Sequence, residues 1–308
     1  MPIVKPDNNS PTSGIQEAID LCIDGFVILG SGEYHIRESL IIKSGTRLIS
    51  SNKAILVNDI EDGFEPFIRV EPYADIEYLI ANSNGKSGIL LGNSRKNNNI
   101  NVGYLKVYNT GTNYDKEPMR AILIRGYNIA IDTVDIYRGN VGLSIEHAAD
   151  IRIKEMQIVA CSTGIRVFNA NNLSFSNFSI DSCNYTGVQV DSTENSYFQG
   201  TIWSNTKDYK GINNTCGLLI GKYSKTFSRN IRMNLRIIDS GITGLAIANA
   251  RNIYIDAIIS NTTGNQIETG INFGENIENI NITGIMDKIE TPFTGYIKGR
   301  NSMIVIDP

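Results

Sequence analysis

One phrase of two to three dozen residues recurs along this chain, and few folds accommodate it. From about residue 99 the pattern runs Asn or Asp, an apolar residue, alternating polar and apolar positions, a polar turn, then Gly opening a second alternating run. NIAIDTVDIYRGNVGLSIEHA, DIRIKEMQIVACSTGIRVFNA and NLSFSNFSIDSCNYTGVQVDS are three copies. The glycines that open the second run are Gly142, Gly164, Gly187, Gly217, Gly244 and Gly270, separated by 22, 23, 30, 27 and 26 residues. A period in the twenties is the mark of a solenoid. The LxxLxL signature of leucine-rich repeats is absent, and Ile, Val, Leu and Phe recur at every second position, which is strand periodicity. Each repeat is therefore one coil of short parallel strands.

Alternation sends the apolar set into the coil, where each residue stacks on its equivalent one rung away at about 4.8 Å. Asn128, Asp150, Asn172 and Asn195, spaced 22, 22 and 23 residues apart, read as one ladder of corner residues, because Asn and Asp tolerate left-handed backbone. An open solenoid end needs a cover. SGIQEAIDLCI over residues 13–23 suits that task, with Ser13 as N-cap, Gln16 or Glu17 in the first turn, and Ile15, Ala18, Ile19 and Cys22 on one face. The expected organisation is an N-terminal arm over residues 1–12 and one all-β domain over 13–308, with regular rungs over about 99–285.

Net charge is −4, from 28 basic and 32 acidic side chains, which does not favour a nucleic-acid backbone as partner. The first residues lack the basic start and apolar run of a signal peptide, and no stretch has the length for membrane insertion as a helix. Four cysteines, Cys22, Cys161, Cys183 and Cys216, show no metal-binding spacing and read as free thiols, with Cys161 and Cys183 stacked one period apart.

The stretch GFVILGSGEYHIRESLIIKSGTRLIS, following the capping segment, resembles the start of pectate/pectin-lyase-like proteins, above all phage tailspike depolymerases. With the rungs, the resemblance covers nearly the whole chain. It implies a single-stranded right-handed parallel β-helix, a polysaccharide partner, an extracellular or virion-associated location and a homotrimer where the member is a viral spike. The GHG and paired-Asp signatures of polygalacturonases and the WIDH and RxPxxR segments of pectate lyases are absent. No cofactor is called for; calcium between Asp and Glu of the outer ribbon stays open.

The phase of alternation identifies that ribbon. With Ile122/Ile124, Leu143/Ile145, Ile165/Val167 and Val188/Val190 inward, the outward set is Leu123 and Arg125, Ser144 and Glu146, Arg166 and Phe168, Gln189 and Asp191. Glu146 and Asp191 hold equivalent positions two rungs, or about 10 Å, apart, compatible with the separation of about 6.5–9.5 Å in inverting glycosidases. A hydrolase would use Glu146 as general acid, although Arg125 and Arg166 would lower its pKa; Asp191 is then equally eligible. A lyase would use the two arginines to neutralise a uronate while His147 or a tyrosine removes the proton. Alternatively, Arg125, Glu146 and Arg166 are a solvated ladder of opposite charges. Phe168 and Gln189 complete the candidate surface. Insertions at residues 110–120 and 206–215 carry Tyr114 and Tyr209, each able to stack on a sugar. Trp203 points inward if aligned with Ile180 and outward if a bulge intervenes. The readings left open are a polysaccharide hydrolase or lyase, a glycan- or receptor-binding spike or adhesin module, and a carbohydrate epimerase or transferase.

Overall fold

A computed structural model describes residues 3–22, 25–62, 64–93, 97–111, 118–204, 215–262, 267–295 and 302–307. The chain is a right-handed parallel β-helix with one short helix among these residues. Two compact units divide it, Met1–Met156 and Gln157–Pro308, and the 62-residue extended run Arg120–Asp181 contains the junction.

In the first unit, Val27, Leu48, Ile76, Val102 and Ile131 pair in successive rungs and are all buried. Leu40, Ile68, Ile89 and Ile122 form a second column, every member 0% exposed. Burying one such side chain is worth about 1.5–3 kcal/mol, so a column stabilises each rung it crosses. Parallel pairing begins at Ile3–Val4, which joins Phe26–Leu29. Regular coils thus precede residue 99. The earlier rungs use strands of three to five residues.

Ile15–Leu21 is the helix, and it lies against Phe26–Leu29 and Leu40–Ile42. Gly14, with φ 83°, is its N-cap and no side chain caps it. Ser13, expected there, instead donates its hydroxyl to the His35 carbonyl at 2.9 Å. Only Ile15 and Ile19 of the expected apolar face are buried.

The second unit repeats the scheme. Ile165, Val188, Leu218, Leu245 and Ile271 form one buried column, and Thr163, Thr186, Cys216, Thr243 and Thr269 pair in register two residues before it. Between these rows stand Gly164, Gly217 and Gly244. A Cβ on Gly164 would sit 2.6 Å from the Gly187 carbonyl oxygen and 2.7 Å from Ile180 Cγ2. The recurring glycine therefore marks a corner too narrow for a side chain.

Asn128, Asp150, Asn172 and Asn195 all have positive φ, from 49° to 58°. In the second unit the side-chain amides form a chain: Asn279 donates to Asn252, Asn252 to Asn230, Asn230 to Asn195 and Asn195 to Asn171. All four cysteines are free, and Cys161, Cys183 and Cys216 are buried. Burial pushes the Cys183 thiol up to about 12 and that of Cys216 to about 11. Trp203 lies outward and 44% exposed: Ile202 aligns with Ile180, because the register shifts between Phe175 and Phe178.

Candidate functional site

The outward positions are not a uniformly open ribbon. Leu123, Ser144, Glu146, Gln189 and Asp191 are buried, Arg125 and Arg166 are half-buried, and Phe168 and His147 are exposed. Alternation fixes which face a side chain leaves from, whereas its burial depends on what folds over that face. Tyr114 and Tyr209 lie outside the described residues. Glu146 and Asp191 belong to different units, and each has its own set of partners.

In the first unit Glu146 is the centre of an ionic cluster. Its Oε1 accepts from Arg120 Nε at 3.0 Å and from Ser144 Oγ at 3.0 Å, and lies 2.9 Å from Arg120 Nη2. Oε2 accepts from Arg125 Nη2 at 2.8 Å. Burial pushes the carboxyl up; the Arg125 hydrogen bond, the Arg120 charge and the Ser144 hydroxyl outweigh it and hold the group below the ordinary carboxylate value. A carboxylate kept ionised by two guanidinium groups is a poor proton donor. What it does well is hold two arginines in place. Arg120 escaped the sequence reading because it was assigned to the end of an insertion, whereas it opens the extended run Arg120–Asp181.

His147, with φ 53°, occupies the left-handed corner after Glu146. The corners after Phe168 and Asp191 are Asn169 and Ser192, with φ 52° and 48°. A corner role accounts for the position of His147 without any chemistry.

In the second unit, Phe168 pairs with Asp191 and Arg166 with Gln189 on the outer face. Asp191 is 2% exposed. Its Oδ2 accepts from Gln189 Nε2 at 2.7 Å and its Oδ1 from the Tyr223 backbone N–H at 3.1 Å. Gly221, with φ 69°, makes that second contact geometrically accessible: a Cβ there would sit 2.0 Å from the Ala248 carbonyl oxygen. The turn it allows leads the chain out of the strand Cys216–Ile220 and back over Asp191. Tyr223 is 55% exposed, and its hydroxyl is hydrogen-bonded to that of Tyr185. Burial of part of the ring, then the Tyr185 hydrogen bond, push its phenol well above the usual value. Lys222 Nζ stands 5.8 Å from the Tyr223 ring centroid, and the Ser192, Ser224 and Thr226 hydroxyls bond to one another beside it.

Asp191 thus fixes a polar and aromatic surface instead of facing solvent itself. Sequence reading missed Tyr185 and Tyr223. The Gly-Lys-Tyr string after CGLLI, where neighbouring rungs carry a polar outward residue, was the one available signal. Among the described residues, no group of three or more His, Cys, Asp or Glu is placed to hold a metal ion, and the two carboxylates considered for calcium are engaged as described.

No protein-family model and no curated protein matches this sequence. Solved structures do. Dettilon tailspike protein superposes with TM-score 0.74 at 12% identity, over 99% of this chain and 68% of that one. The mannuronan C-5 epimerase AlgE6 A-module of Azotobacter vinelandii gives 0.64 at 13%, over 96% and 94%. PfbA, a surface adhesin of Streptococcus pneumoniae, gives 0.62 at 14%, over 95% and 86%. At these identities the likeness is one of fold, and the fold shared is the right-handed parallel β-helix.

Proposed function

We propose that this protein binds a polysaccharide, outside the cell or on a virion, through the surface of its second unit formed by Phe168, Gln189, Asp191 and Tyr223. The observation that carries this reading is the way Asp191 is used. Its buried carboxylate anchors both Gln189 and the turn bearing Tyr223, so an exposed tyrosine and an exposed phenylalanine flank one rigid polar point. Aromatic faces pack on the C–H faces of sugar rings, and the neighbouring hydroxyl, amide, Arg166 and Lys222 groups supply hydrogen bonds and charge. A site held on strands by a second layer of hydrogen bonds loses little order when ligand binds. Tailspike, adhesin and epimerase structures of the same fold are consistent with such a role.

Degradation of the bound polysaccharide, as a hydrolase or a lyase, is a second reading. It is favoured by the hydrogen-bonded Tyr185–Tyr223 pair beside Asp191, groups of the kind that transfer protons.

Titration against a panel of bacterial capsular polysaccharides, alginate and pectins tests the first reading. Wild type binds at least one, and Phe168→Ala and Tyr223→Ala each weaken binding by about tenfold, as loss of about 1.4 kcal/mol of stacking requires. Binding unchanged in both variants, or no binding to any member, contradicts it. Reducing ends or unsaturated products released by wild type and lost in Asp191→Asn would establish the enzymatic reading.

A further inference from the structure

We infer a second ligand site in the first unit, a concave surface that takes a sugar ring carrying one negative charge. It is lined by Ile55, Ile80, Lys106, Tyr108, Asn109, Tyr137 and Arg138 and encloses about 410 Å3, within the range of small-ligand sites. Strand register builds it. Tyr108 and Tyr137 are direct cross-strand partners, and Ile80 pairs with Lys106 on the same outward face.

Two features give its chemistry. The walls are aromatic and aliphatic, with the stacked Tyr78 and Tyr104 rings, 4.7 Å apart, on the same strands. Lys106 Nζ stands 5.0 Å from the Tyr137 ring centroid, within cation–π range. Yet neither the Lys106 ammonium nor the Arg138 guanidinium makes an ion pair or hydrogen bond among the described residues. No carboxylate lines the surface. Two carboxylates flank it: Asp135, in register with Lys106, accepts the Tyr104 hydroxyl at 2.5 Å, and Glu33, in register with Ile55, lies 3.9 Å from His35 Nε2. Some basic side chains of this unit meet carboxylates, Lys43 with Asp20, Arg69 with Glu65 and Lys154 with Asp132, and others, Arg37 and Lys86, meet carbonyls. Two cations that form no ion pair with either carboxylate, set against two tyrosine rings, are complementary to an anion on a ring with an apolar face. Arg138, left-handed at φ 59°, stands at the corner where such an anion would approach. The shared chemistry is an acidic sugar unit, whose charge is either a carboxylate or a sulfate ester.

The test is ligand-detected NMR on the full chain with methyl glucuronide, glucose 6-sulfate and the neutral methyl glucoside. Either charged probe binding at least about tenfold more tightly than the neutral one supports the site and names the anion. Lys106→Gln/Arg138→Gln should abolish that preference while Tyr223→Ala leaves it intact, the folded state of each being checked by circular dichroism. Equal binding of charged and neutral probes, no binding of either charged probe, or a preference that survives the double variant overturns the inference. Loss in Tyr223→Ala alone would also overturn it, by moving the anion to the second unit.

Discussion

At Glu146 two guanidinium groups and a hydroxyl converge on one carboxylate whose side chain is 11% exposed. Its pKa is lowered in the folded state. A depressed carboxyl contributes stability that is fully present above its unfolded value, about 4.3, and is lost as pH falls through the folded value. Glu146→Gln should therefore destabilise the protein by about 2 kcal/mol at neutral pH, from loss of charged hydrogen bonds, and the difference from wild type should shrink toward pH 3. Urea melts across that range check it; a difference independent of pH contradicts it. Arg125–Glu146 was legible from alternation and spacing. Arg120 was not, because the irregular segment before it hides where the strand begins, and neither was the burial of Glu146 under its arginine partners or of Asp191 under the Tyr223 turn. Tyr223 was hidden for the same reason: a left-handed Gly221 takes the chain out of register just where the repeat would otherwise have placed it.

Strands and corners make a different kind of claim, since each repeats. The alternation, the glycine column and the left-handed Asn/Asp corners were all legible, because each has one physical cause recurring at one spacing. The rungs over residues 26–70 were less so, because the phrase with its recurring glycine starts only near residue 99. The N-cap at Ser13 failed because Gly14 holds that position and the Ser13 hydroxyl is engaged by the His35 carbonyl, both residues being left-handed. The amide ladder separates two contributions at Asn252, which has φ 55° and bonds in both directions. Asn252→Gly loses the hydrogen bonds alone, about 1 kcal/mol. Asn252→Ala adds the strain of a left-handed alanine, about another 1 kcal/mol. Thermal denaturation should rank wild type above the glycine variant and that above alanine; equal losses would mean the backbone is not held there.

For the whole molecule, a β-helix leaves long outer faces whose chemistry is set residue by residue while the core stays the same. This is why structures with 12–14% identity share the fold, and why function has to be argued from surfaces. The spike-like assembly implied by the resemblance is a proposal at this scale: light scattering should give three times the 34.0 kDa of one chain, and a mass of 34.0 kDa would contradict it. The central claim is that a polysaccharide seats on the second unit around Tyr223. Hydrogen exchange followed by mass spectrometry, with and without a polysaccharide bound in the panel, tests it most directly. Slowed exchange in peptides spanning residues 166–168, 189–191 and 219–227 is the predicted result. Bound polysaccharide that leaves those peptides unchanged while protecting others would contradict it.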